Sequence, residues 1–229
     1  MKDTATFRRT AAVVGLIGAV ITSAAWTLLE PPFPADYVDR LAAIDTGGAS
    51  ATVSAILFAV SQLFMLAAVL GIAHLIRHRA PVLSNLGATL SVIGVLGHAV
   101  FAGSMLMTLP MAADAENREL YASLIEDFES SPMMIIAAAG LLGTVLGLLL
   151  LSIGLFRARE VPRWIPALLW AFLVIEFVGT ALSDFATYAA VLSLAIAFGA
   201  LALHVRQMPR SDWEVATSSA DEPRIPVSG

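Results

Sequence analysis

Five side chains in this sequence have the chemistry to act where water is scarce: His98, Glu176, Gln62, Glu30 and Asp184. His98 stands in SVIGVLGHAV (91–100), Glu176 in VIEFVGT (174–180) and Gln62 in AVSQLFM (59–65), each well inside a long apolar run. Glu30 and Asp184 stand where two such runs end. Ionisable groups in hydrocarbon are expensive unless they meet a partner or a water-filled space. A carboxylate near an imidazole favours the imidazolium, whereas burial disfavours both charges, so a hydrogen-bonded His98–Glu176 pair is the cheapest arrangement. Such a pair has three readings: a relay for protons, a site for a small polar or cationic ligand, or a strut tying two helices together. Residue types alone leave all three open.

Other chemistries have less to build on. A metal centre would need a third ligand such as Asp184, and one histidine with two distant carboxylates matches no metal-binding spacing. No metal and no cofactor are therefore expected. Haem between two histidines needs a pair at one depth, and His98 has no such partner. His74 and His204 do share a depth, but HLIRHR and HVR set both beside arginines, as interfacial residues would be. The absence of cysteine removes disulfides, thiolate nucleophiles and iron–sulfur clusters. No GxSxG, HExxH, Walker or dinucleotide-binding pattern occurs, so no enzymatic class is supported. The basic residues are scattered and give no basis for nucleic-acid binding.

The elements that must position these residues are membrane helices. Of 229 residues, 58% are hydrophobic and only 14% charged, against about 25% charged in soluble domains. Six apolar runs cover approximately 11–29, 51–76, 83–109, 133–156, 164–182 and 186–204. Crossing about 30 Å of hydrocarbon takes about 20 helical residues, and these runs lack the alternation of barrel strands. The expected fold is all-α: a polytopic transmembrane helical bundle of six spans in the cell membrane, built from residues 1–206. No run interior carries a proline that would break it. Lys2, Arg8, Arg9, Arg77, Arg79, Arg157, Arg159, Arg163, Arg206 and Arg210 fall on one side, and only Arg40 and Arg118 on the other. Basic residues mark the cytoplasmic side, so both termini are expected there, with the spans arranged as three hairpins. The first run reads as a retained helix, being long and followed by five more.

The outer loops carry helices of their own. DAENRELYASLIEDFE (114–129) puts Leu120, Tyr121, Leu124, Ile125 and Phe128 on one stripe with acids opposite, an amphipathic pattern. PPFPADYVDRLAAIDTGG holds a shorter version through Tyr37, Leu41 and Ile44. Residues 207–229 are polar and rich in Ser and Pro, which predicts a disordered cytoplasmic tail.

Helices in lipid gain most from close backbone approach. Ser84, Gly87, Ser91, Gly94, His98 and Ala102 recur at steps of three and four, and Gly140, Gly143, Gly147 and Gly154 include the GxxxG of GTVLG. The stripe turns His98 into the bundle. At about 1.5 Å per residue, His98 and Glu176 both fall in the middle or outer half. Gly179, Thr180 and Ser183 beyond Glu176 are small or polar, and Phe172 and Leu173 before it are bulky, which predicts a pocket open outward and closed below.

The stretch LGIAHLIRHRAPVLSNLGATLSVIGVLGHA (70–99) resembles that of small polytopic membrane proteins of high-GC bacteria with no assigned function. The resemblance covers six helices with two structured outer loops and implies no catalytic residue. Three readings follow. The first is a non-enzymatic accessory, sensory or scaffold bundle whose polar groups fix packing. The alternative is a small carrier, or ligand- or proton-binding protein, with an outward pocket around His98 and Glu176. Six helices are few for a carrier, so that reading calls for a homo-oligomer and a small polar or cationic ligand on the outer side. The third is a membrane-embedded metal or haem protein. In every reading the lipid bilayer is a partner.

Overall fold

The computed structural model describes residues 2–132, 134–183 and 185–214, all helix or short connection, with no strand among them. Among the described residues nine helices follow in order: α1 (Lys2–Leu29), α2 (Tyr37–Gly47), α3 (Ala49–Ile76), α4 (Pro81–Ala113), α5 (Arg118–Glu129), α6 (Met134–Ala158), α7 (Trp164–Val174), α8 (Phe185–Gln207) and α9 (Arg210–Glu214). A 3-10 turn, Ala115–Asn117, precedes α5, and a π-helical segment, Ile175–Gly179, continues α7. Five of these helices, α1, α3, α4, α6 and α8, are long and apolar enough to cross a membrane. The sixth expected run is shorter than the 164–182 predicted: the apolar helix covers Trp164–Gly179 and gives way to turns.

Helix α1 packs along α3, α3 along α4, α4 along α6, α6 along α7 and α7 along α8, which returns to α1. The N-terminus, the α3–α4 and α6–α7 turns and α9 share one end, rich in arginine, here called the basic end. Helices α2 and α5 sit at the other, the capped end. The main apolar core, with Leu16, Ile72, Leu151, Leu155, Leu169, Phe198 and Leu201, fills the basic half. In the capped half, the buried groups of α1 and α3 are largely polar: Thr22, Ser23, Thr27, Ser54, Ser61 and Gln62.

The cap forms for local reasons. Asp36 caps α2 by accepting the Asp39 N–H at 2.9 Å. Gly48 closes that helix at φ 50°, a left-handed conformation that favours glycine. Helices α2 and α5 then bury Leu41, Ala112 and Ala122 against the end of α4. Tyr37 donates to Glu129 at 2.7 Å, and Arg118 bonds both Asp45 and the Ala112 carbonyl at 2.9 Å. Two features depart from expectation. Helix α4 runs through Pro110 for another three residues, because the cap packs against that last turn. The polar tail is helical at Arg210–Glu214 and buries Trp213, so it is structured past 207; residues 215–229 lie outside the described residues.

Candidate functional site

Two helix seams set the depth of every candidate. Along the first, Ala12 meets Gly71, Gly15 meets Ala67 and Gly18 meets Phe64. Along the second, Gly87 faces Leu151, Ser91 faces Gly147, Gly94 faces Gly143 and Thr144, and Gly97 faces Gly140. A Cβ on Gly143 would lie 2.7 Å from both the Gly94 nitrogen and the Leu90 oxygen, so a hydrogen is all the space admits.

His98 emerges from this second seam. Its Nδ1 lies 2.9 Å from the Gly94 carbonyl and 3.3 Å from Thr144 Oγ1 of α6. A carbonyl only accepts, so Nδ1 carries the proton in this contact. Phe58 of α3 packs beside the ring at 6.3 Å between centroids and also meets Trp26 and Phe101. His98 is thus held by α4 and α6, and no hydrogen bond or ion pair joins it to Glu176 among the described residues.

Glu176 lies in the π-helical segment, and Thr180 Oγ1 donates to its backbone carbonyl. π-Bulges are rare and recur at functional sites. Its carboxylate is within electrostatic reach of Glu30, which stands one residue past α1. Both side chains are half-buried, and neither finds a hydrogen bond or ion pair among the described residues. Burial raises Glu30 from its ordinary 4.5 to about 7, and the charge on Glu176 adds to the rise. Thr27, one turn before Glu30, is buried with its Oγ1 unpartnered among the described residues.

Gln62 does not join this group. Its Nε2 donates to Ser61 Oγ at 3.0 Å and to the Phe58 carbonyl at 3.3 Å. The α1–α3 register, with 15 against 67 and 18 against 64, sets Gln62 opposite residue 20 or so. That is about ten residues, or ~15 Å, below Glu30. Asp184 lies outside the described residues. The structure thus sets Glu30 within electrostatic reach of Glu176, and holds His98 and Gln62 separately.

Three cavities line the basic end, and none reaches His98, Gln62, Glu30 or Glu176. Trp213 borders all three. Its ring packs against His74, tilted by 39° with 4.4 Å between centroids, and its carbonyl accepts from His74 Nε2 at 3.2 Å and from Arg77 Nη2 at 2.9 Å. Burial and the nearby Arg8 charge hold Arg77 below its ordinary value. Arg9 donates to the Val205 and Arg206 carbonyls, satisfying the last turn of α8. Arg79 pairs with Glu160 at 2.9 Å. Sequence reasoning missed this cluster; its one signal was a lone tryptophan among charges in the tail. Thr144, inside GTVLG, was visible only as packing.

The model of a family described as a domain of unknown function matches residues 10–205. No curated protein and no solved structure matches the chain.

Proposed function

The chain belongs to the DUF4386 family, whose description assigns no activity, and from the bundle itself we propose a non-enzymatic, multi-pass membrane protein that senses protons on its outer side. The observation that carries this reading is the pair of half-buried carboxylates, Glu30 and Glu176, facing one another's field without a cationic partner among the described residues. Two like charges in a poorly hydrated site do not both ionise readily, so Glu30 holds its proton toward neutrality. Protonation removes the repulsion between the end of α1 and the π-helical segment. Deprotonation restores it and draws in water or a cation. The proton occupancy of the pair therefore sets how closely α7 and α1 approach at the capped end.

The same reading takes Trp164–Gly179 as a sixth, short span, since α6 and α8 on either side of it are both long enough to cross. It puts both termini in the cytoplasm. Support comes from the arginines at the basic end, and from the two at the capped end being ion-paired: Arg40 with Glu129 and Arg118 with Asp45.

Infrared difference spectra of the full chain in lipid nanodiscs, between about pH 5 and about pH 9, test the proposal. A protonated-carboxyl band that titrates near neutrality is expected, lost in Glu30→Gln and shifted to lower pH in Glu176→Gln. A band unchanged in both variants overturns the proposal. A titration that moves with sodium or calcium concentration reassigns the pair to a bound cation.

A further inference from the structure

We propose that the cavity between α1, α8 and α9 at the basic end is a headgroup site for an anionic phospholipid of the cytoplasmic leaflet. The cavity measures about 320 Å³, the size of a small-molecule site. Three guanidiniums line it, from Arg9, Arg206 and Arg210, against one carboxylate, Glu214. Arg9 is fixed in place because it caps α8. Arg206 and Arg210 are exposed, and neither side chain is engaged by a described residue. Guanidinium groups match the paired oxygens of a phosphate diester.

A second observation points to an acceptor. Trp213 borders this cavity and the two beside it and is 3% exposed, and its buried Nε1–H has no acceptor among the described residues. A buried donor left open is costly, and a phosphate or ester oxygen is the kind of group that closes it.

The walls favour a lipid over a soluble phosphate. Arg9 lies just before the apolar stretch of α1 and Arg206 just after that of α8, so the mouth sits at headgroup depth. Val13, one turn deeper, and the Trp213 ring give the cavity an apolar floor. Free phosphate would satisfy the arginines and leave that floor wet. A glycerol backbone with its first acyl carbons covers it. Basic pockets between spans on the cytoplasmic side are suited to such headgroups. Since α9 forms one wall, the bound lipid also ties the end of the chain to α1 and α8.

The inference rests on the membrane reading and on the cytoplasmic placement of the basic end. Thermal unfolding of the full chain in neutral detergent, with phosphatidylglycerol, phosphatidylcholine or inorganic phosphate added, tests it. Phosphatidylglycerol is expected to raise the Tm saturably, and the other two are not. The double variant Arg206→Gln/Arg210→Gln should weaken the response about 25-fold, at about fivefold per arginine. Trp213→Phe should weaken it less while keeping the lipid-free Tm near that of the parent. An equal response to phosphatidylcholine or to inorganic phosphate, or an unchanged midpoint in the double variant, overturns the site. Failure of the chain to stay with membranes in alkaline extraction refutes instead the membrane reading beneath it.

Discussion

Alanine at Gly143 and alanine at Gly103 should have opposite effects, although both glycines lie inside long helices of the same seam. At Gly143 the new methyl would stand 2.7 Å from the Gly94 nitrogen and from the Leu90 oxygen, while ordinary contact begins near 3.4 Å. Helix α6 must therefore withdraw from α4 by at least ~0.7 Å, because backbone cannot rotate out of the way as a side chain can. A gap of that size forfeits a quarter to a half of the dispersion well for each atom pair it opens, and overpacking typically costs about 1–3 kcal/mol. The withdrawal also stretches the 3.3 Å contact of Thr144 with His98. At Gly103 nothing lies within 4 Å of the position a Cβ would take. Alanine there restricts the unfolded chain and favours helix, a gain of up to about 1 kcal/mol. The expected difference between the two variants is about 2–3 kcal/mol, read as unfolding midpoints in a graded series of mixed micelles. Equal effects of the two substitutions, or a stabilised Gly143→Ala, would refute the close seam. Gly199→Ala on α8, also in open space, serves as a second control.

Three further outcomes follow from single contacts. Glu30 rises from 4.5 to about 7 on folding, so its contribution is fully present below about pH 4.5 and is lost as pH climbs through about 7. The rise of about 2.5 pH units corresponds to ~3.4 kcal/mol for a dry site, and solvent screening of a half-buried group leaves about 1–2 kcal/mol; Glu30→Gln should flatten the stability profile by that amount between about pH 5 and about pH 8. Arg118→Gln removes two bonds of 2.9 Å, to Asp45 and to the Ala112 carbonyl, and should cost the cap about 1–2 kcal/mol, seen as faster amide exchange in α2 and α5 with the α4–α6 seam unchanged. Hydrogen bonds from Asn117 and Tyr121 hold Asp114 below its ordinary 3.8, so its hold on the start of α5 is present above that value and lost as pH falls further; exchange at residues 115–121 should rise in acid, and Asp114→Ala should abolish that rise.

How much of this was legible in sequence depends on the range of the interactions. Helix positions were, because hydropathy acts over one segment: the run at 51–76 falls within Ala49–Ile76 and that at 83–109 within Pro81–Ala113. The helix at α5 was visible from its apolar spacing, but only Tyr121 and Ile125 of the stripe pack into the cap around Ala122, while Leu120, Leu124 and Phe128 stay exposed. Spacing also turned His98 into the bundle, yet it said nothing of which helix would receive it. Its ring meets α6 through Thr144, a residue distant in sequence. The π-helical segment left no signal, since Ile175–Gly179 contains no proline and continues the apolar run of the helix before it. Composition misread the start of the tail for a related reason: a five-residue helix with one buried tryptophan hardly changes an average, although that tryptophan anchors it to His74 and Arg77.

Helix α4 has a mechanical consequence. Its 33 residues make a rod about 50 Å long, of which a hydrocarbon layer of about 30 Å leaves ~20 Å projecting. The cap is clamped to the projecting end by Leu41, Ala112 and Ala122 and by Arg118, while the glycine seam grips the rod lower down. The pair forms a lever with its fulcrum in the membrane. A tilt of about 5° at the seam displaces the tip by ~2–3 Å over the ~24–39 Å of α4 between Gly97 or Gly87 and Ala113, so small rearrangements between helices would be delivered to the surface that α2 and α5 present.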